Sequence, residues 1–188
     1  MSLDAEMRAL RERGDHAAAA TLALESLGPA ILGYLRSLHE EDEAKEVFSA
    51  FAEDLWRGLP AFRAEASIRT WSYRLAWHAS CRHRRDAFRR RREPIPSSAA
   101  SRLAASIASR SGLAPGSRRE RLERLRASLE PEEQALLVLR VDRELEWEEI
   151  AEILAEEGEP VSAPTLRKRF ERLKEKLAEQ ARSEKLID

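Results

Sequence analysis

Along this 188-residue chain the apolar residues recur three or four positions apart, and no stretch alternates apolar with polar two by two. That period places side chains on one face of an α-helix, whereas a half-buried strand needs alternation, so a sheet is excluded and the chain is predicted to be all-α. Leu24, Leu27, Ile31, Tyr34, Leu35 and Leu38 form one such stripe. Val47, Phe48, Phe51, Leu55 and Trp56 form a second, closed by Gly58 and Pro60. A third helix opens after Ser67, a credible N-cap, and contains "IRTWSYRLAWHASCRHRR". Further stripes follow in "EPEEQALLVLRV", where Pro131 suits a first helical turn, and in "EWEEIAEILAEE", with Trp147, Ile150, Ala151 and Leu154. The last helix is expected to bury Leu166, Phe170, Leu173 and Leu177.

The stripes fall into two groups. Between them "EPIPSSAASRLAASIASRSGLAPGS" is rich in serine, alanine, proline and glycine and reads as a flexible linker, with room for a short helix at 103–108. The predicted organisation is two small helical domains, 1–93 and 118–188, joined by a linker at 94–117; the helical pattern of "RRERLERLRASL" opens the second.

Composition and charge narrow the function. The one cysteine, Cys81, excludes an intramolecular disulfide framework and fits a reducing compartment. No uninterrupted apolar run approaches the ~20 residues of a membrane span, and the start of the chain is charged where a signal peptide is apolar, so no membrane partner and a cytoplasmic location are expected. Net charge is −1 but segregated: residues 82–92 carry seven arginines against Asp86 alone, and residues 130–159 carry twelve acidic side chains against Arg140 and Arg143. Such segregation makes local faces for different partners. No phosphate loop, nucleophile elbow or paired-carboxylate motif is present, so no enzyme is expected. "HASCRH" is set aside as a metal motif because His83 lies far around the helix from His78 and Cys81, and His16 and His39 are isolated in sequence. No cofactor is expected.

Two constellations remain. On the third helix Ile68, Trp71, Leu75 and Ala79 fall on one face, and Thr70, Tyr73, Trp77, Ser80 and Arg84 on the other, flanked by Arg69 and Arg74. Aromatic rings beside guanidinium groups suit unstacked bases and their phosphates; equally, Tyr73 and Trp77 pack under a neighbouring helix or the linker. The last two helices make a helix-turn-helix outline. The polar face of the final one presents Arg167, Lys168, Glu171, Arg172 and Glu175, which reads as a DNA-contacting face or as a solvated helix with i,i+4 ion pairs.

Taken in order, "LPAFRAEASIRTWSYRLAWHASCRHRRD" resembles the promoter-melting segment of extracytoplasmic-function sigma factors. "LEPEEQALLVLRVDRELEWEEIAEIL" with "TLRKRFERLKEKL" is similar to their C-terminal DNA-binding domain, and "GDHAAAATLALESLGPAI" to their opening. The resemblance implies a specificity subunit of bacterial core RNA polymerase that captures bases rather than making bonds. By it, Glu46, Glu53, Asp54 and Arg57 dock on polymerase. Arg63, Arg69, Tyr73, Arg74, Trp77, His78 and Arg84 hold the melted strand of the −10 element. Thr165, Arg167, Lys168, Glu171 and Arg172 read the duplex −35 element. An anti-sigma factor is a further partner that the family admits. Three departures stand out: His78 where the family usually has asparagine, Glu146 where it has a small hydroxyl residue, and a longer turn between Leu154 and Thr165. The readings that compete are a stand-alone helix-turn-helix regulator and an interaction protein that keeps the architecture without promoter recognition.

Overall fold

The computed structural model describes residues 2–91, 128–155 and 160–183, and among them there are seven α-helices and no strand. The proposed linker, the helix at 103–108, most of "RRERLERLRASL" and the centre of the long turn lie outside the described residues. The chain is all-α.

Helix α1 (Leu3–Glu12) begins at Ser2, whose hydroxyl accepts from the Ala5 amide. It ends where Gly14 takes φ 72°, a left-handed conformation that glycine adopts without a Cβ penalty. Helix α2 (His16–Leu38) starts at Asp15, whose carboxylate accepts from the Ala18 amide. By length and composition α2 is apolar enough to cross a membrane, which the charge-interrupted reading of the sequence did not anticipate; here its Ala19, Ala20, Ala23, Ile31, Tyr34 and Leu35 form the middle of the core. Helix α3 (Glu41–Gly58) buries Ala44, Val47, Phe51 and Leu55 and stops at a 3-10 turn through Pro60. Trp56 departs from the expected stripe and is 52% exposed.

Helix α4 (Ile68–Arg91) is fixed at its start from two sides. Ser67 Oγ accepts from the Thr70 amide at 3.0 Å, as expected of an N-cap, and Asp4 of α1 accepts from the Ile68 amide at 2.8 Å. The following segment has α5 (Pro131–Leu137) running into a π-turn at Val138–Asp142, then α6 (Trp147–Leu154) and α7 (Ala163–Ser183). Glu146 caps α6 through a reciprocal box, its amide donating to Glu149 Oε2 at 3.0 Å, so a glutamate serves where serine was the expected cap. Ser162 caps α7, receiving the Thr165 amide.

One continuous apolar core runs through both groups of helices among the described residues. Ile150 and Ile153 of α6 and Leu139 and Leu145 before it are fully buried, each worth about 1.5–3 kcal/mol. On α7, Leu166 and Leu173 are buried while Phe170 and Leu177 are only half-buried. Leu166→Ala is therefore expected to cost about 2–5 kcal/mol in urea unfolding, and Phe170→Ala less than the 3–5 kcal/mol of a fully buried ring. A larger loss for Phe170→Ala than for Leu166→Ala would contradict this packing.

Candidate nucleic-acid interface

Helix α4 is where the structure departs most from the amphipathic expectation. Its inner face behaves as predicted at Ile68 and Ala79, with Trp71 and Leu75 half-buried and Trp71 stacked on Phe62 at 4.7 Å. Its opposite face, expected to be open, is covered. Thr70 is 3% exposed, Tyr73 1%, Trp77 2% and Ser80 0%. Helix α4 is thus buried along two faces, with Arg69 and Arg74 exposed between them.

Helix α4 packs against α2, α3 and α6, so both groups of helices cover it. Thr70 donates its hydroxyl to Glu149 Oε1 at 2.8 Å. Arg69 donates to the Arg143 carbonyl at 2.6 Å, and His78 Nε2 lies 3.2 Å from the Ala155 carbonyl. Arg143 reaches across to α2, where its guanidinium approaches Gly33 so closely that a Cβ there would stand 2.9 Å from Nη2. Tyr73 meets Tyr34 of α2 edge-on at 5.5 Å, and burial raises the pKa of both phenols. Arg84 lies over the Trp77 ring at 5.2 Å and donates to Ser80 Oγ at 2.5 Å. The acidic stretch thus lies against the basic helix, with one of its carboxylates on Thr70.

The other candidates are more open. Arg74 is exposed, and Arg63 is exposed with Glu65 at 3.8 Å. On α3, Glu46, Glu53 and Arg57 are exposed, the last two paired at 3.1 Å, and Trp56 stands among them beside Leu24 and Ala52 in a shallow groove. Asp54 instead turns to α4 and pairs with Arg82. On α7, Thr165, Arg167, Lys168, Glu171 and Arg172 all lie on the exposed side. Arg167 is 3.6 Å from Glu148 and Glu171 is 2.8 Å from Lys174, so part of this face is indeed laced with ion pairs. Trp147 anchors α6 to α7 through Phe170, at 5.5 Å, with Arg140 over its ring at 4.7 Å.

Reasoning along the sequence missed one cluster. His39, isolated in sequence, lies against His83 of α4 and Glu43 of α3. Burial, then the charges of Arg84 and His83, lowers its pKa to about 4. Only the fold brings these residues together, because no short spacing links them.

No family model matches the chain. It is similar to a protein of Bacillus subtilis (strain 168) named RNA polymerase sigma factor YlaC, with 29% identity over 157 residues, which span 83% of this chain and 90% of that relative. The likeness supports a sigma-factor family for the chain.

Proposed function

We propose that the chain directs promoter recognition by bacterial RNA polymerase as an extracytoplasmic-function sigma factor, built from segments 1–93 and 118–188 joined through 94–117. The observation that carries this reading is the likeness to a named sigma factor across most of the chain, with the motif order read from the sequence beside it. In this reading the exposed side of α3 docks on polymerase through Glu46, Glu53 and Arg57, and Trp56 adds an apolar anchor of the kind that dominates interfaces. Asp54 acts indirectly, by holding Arg82 of α4. Arg63, Arg69, Tyr73, Arg74, Trp77, His78 and Arg84 take the melted strand, the rings by stacking and the cations by phosphate contact. The exposed side of α7, from Thr165 to Arg172, enters the major groove as the second helix of a helix-turn-helix.

The covered face of α4 gives this reading a free state. While Tyr73 and Trp77 stay buried and α6 is held against the same helix, no base stacks on them, so the protein alone is held off DNA and engages it after the two groups of helices separate on polymerase. The contact is suited to reversal. Arg143 Nε and Trp77 Nε1 are buried without a hydrogen-bond partner among the described residues, and an orphaned buried group costs about 1–3 kcal/mol. If the open form makes up about 0.1–10% of the free chain, strand affinity falls about 10- to 1000-fold below that of the open form.

Gel shifts with promoter DNA test the reading. Weak, nonspecific binding is expected from the protein alone, and tight, sequence-specific binding with core polymerase. Site-specific nanomolar binding by the protein alone would favour a stand-alone regulator. On α7, Arg172→Ala is expected to cost about 1–3 kcal/mol of promoter affinity or discrimination, with thermal stability and polymerase docking unchanged. Unaltered transcription from its own promoter would remove Arg172 from the reading face.

A further inference from the structure

The end of α2, the first turn of α3 and the middle of α4 meet at a cluster that nucleic-acid binding leaves unused. His39, Glu43 and His83 each place a ligand-capable atom within 4.8 Å of the other two. His39 Nδ1 is 3.9 Å from Glu43 Oε2, and the His39 and His83 rings stand edge-to-face with centroids 5.5 Å apart. We propose that these three side chains form a site for one divalent transition-metal ion, best suited to zinc, that ties α2, α3 and α4 together.

The donor set selects the class of metal. Two imidazoles and one carboxylate suit zinc with a fourth position left for water, whereas magnesium and calcium take oxygen ligands. Ligand atoms about 2.0–2.1 Å from a tetrahedral zinc stand about 3.3 Å apart, so the cluster needs to close by about 1.5 Å at its widest. Small side-chain rotations supply that, with Glu43 and His83 on packed helices and His39 directly after the last residue of α2.

The surroundings orient the inner ligand. His39 Nε2 lies 2.6 Å from Ser80 Oγ, a hydrogen bond that fixes the ring, and in the tautomer that donates to Ser80 the Nδ1 lone pair is on the Glu43 side. Arg84 holds the same Ser80 oxygen, which keeps its charge on the Nε2 edge of the ring. The 3.9 Å between Nδ1 and Glu43 is too long for a hydrogen bond, so no histidine–carboxylate bond holds a proton on Nδ1. The side chain of His39 is 3% exposed and that of Glu43 48%, giving an enclosed ligand and an open one by which the ion enters.

Calorimetric titration of the full chain with zinc, beside thermal melts and cobalt absorption spectra, tests the site. The expected result is one equivalent of zinc and a melting temperature raised by about 5–10 °C at zinc concentrations near 100 times Kd. Cobalt should give the visible bands of four-coordination without a thiolate charge-transfer band. Cys81→Ser should leave all of this unchanged. Ser80→Ala should weaken binding about 10- to 100-fold by releasing the inner ligand, and His83→Ala and Glu43→Gln should each weaken it further, with metal-free circular dichroism as for the parent. Zinc affinity unchanged in both His83→Ala and Glu43→Gln, or lost in Cys81→Ser and kept in His83→Ala, would overturn the proposal.

Discussion

A chain locked shut across α4 and α6 is expected to lose promoter opening while keeping its fold. The lock joins Thr70→Cys to Glu149→Cys with a short cleavable cross-linker, in a Cys81→Ser background. These two positions are chosen because the Thr70 hydroxyl already sits 2.8 Å from Glu149 Oε1, so the linker holds a geometry that exists. Locked, the chain keeps Tyr73 and Trp77 in the burial they now have, 1% and 2% exposed, and two stacking surfaces are denied to the strand. Stacking is worth about 1–3 kcal/mol per base, so two rings amount to about 2–6 kcal/mol, or roughly 30-fold to 25,000-fold in open complex. Permanganate reactivity of unpaired thymines measures it, and cleaving the linker should restore opening. Full opening by the locked chain would mean that the covered face of α4 does no work on DNA.

Truncating the same rings without a lock is expected to act first on the fold. Tyr73→Ala removes a buried ring that packs on Tyr34, which costs about 3–5 kcal/mol by analogy with other buried aromatics. For a chain of this size that is roughly 6–20 °C in melting temperature, read by near-ultraviolet circular dichroism. The double change Tyr73→Ala with Trp77→Ala would approach the 5–15 kcal/mol that holds an ordinary domain together. An exposed strand-binding face would have tolerated it, and burial changes that expectation. Tyr73→Phe keeps the ring and is expected to keep both the fold and strand opening. A promoter already mismatched across the −10 region should rescue any variant whose fold survives but whose stacking is weakened. A Tyr73→Ala melt within about 2 °C of the parent would contradict the packing of α4.

The helices were legible in the sequence because their signals are local. The serine before Ile68, the proline opening α5 and the turn at Gly58 and Pro60 all act within one helical turn, and each sits where it was read. The inner face of α4 was legible for the same reason. Its outer face was not, because its partners are distant in sequence, Tyr34 of α2 against Tyr73 and Glu149 of α6 against Thr70, and a helical pattern does not say which of two apolar faces finds solvent. Trp56 shows the converse, an aromatic in phase with the α3 stripe that the neighbours leave half-exposed. The pairing of Asp54 with Arg82 and the meeting of His39 with His83 are likewise products of packing between helices, with no spacing to betray them. The polar side of α7 was legible as a face, since Thr165 to Arg172 follow the period set by Leu166 and Leu173.

Run-off transcription with bacterial core polymerase tests the central claim most directly. A pool of promoter fragments is transcribed with core enzyme alone and with core enzyme plus this protein. A sigma factor is expected to yield discrete transcripts from a subset of the pool only when it is present, and the locked chain to yield almost none until its linker is cleaved. Transcript levels that do not change on adding the folded, unlocked protein, although it binds core polymerase, would contradict the account.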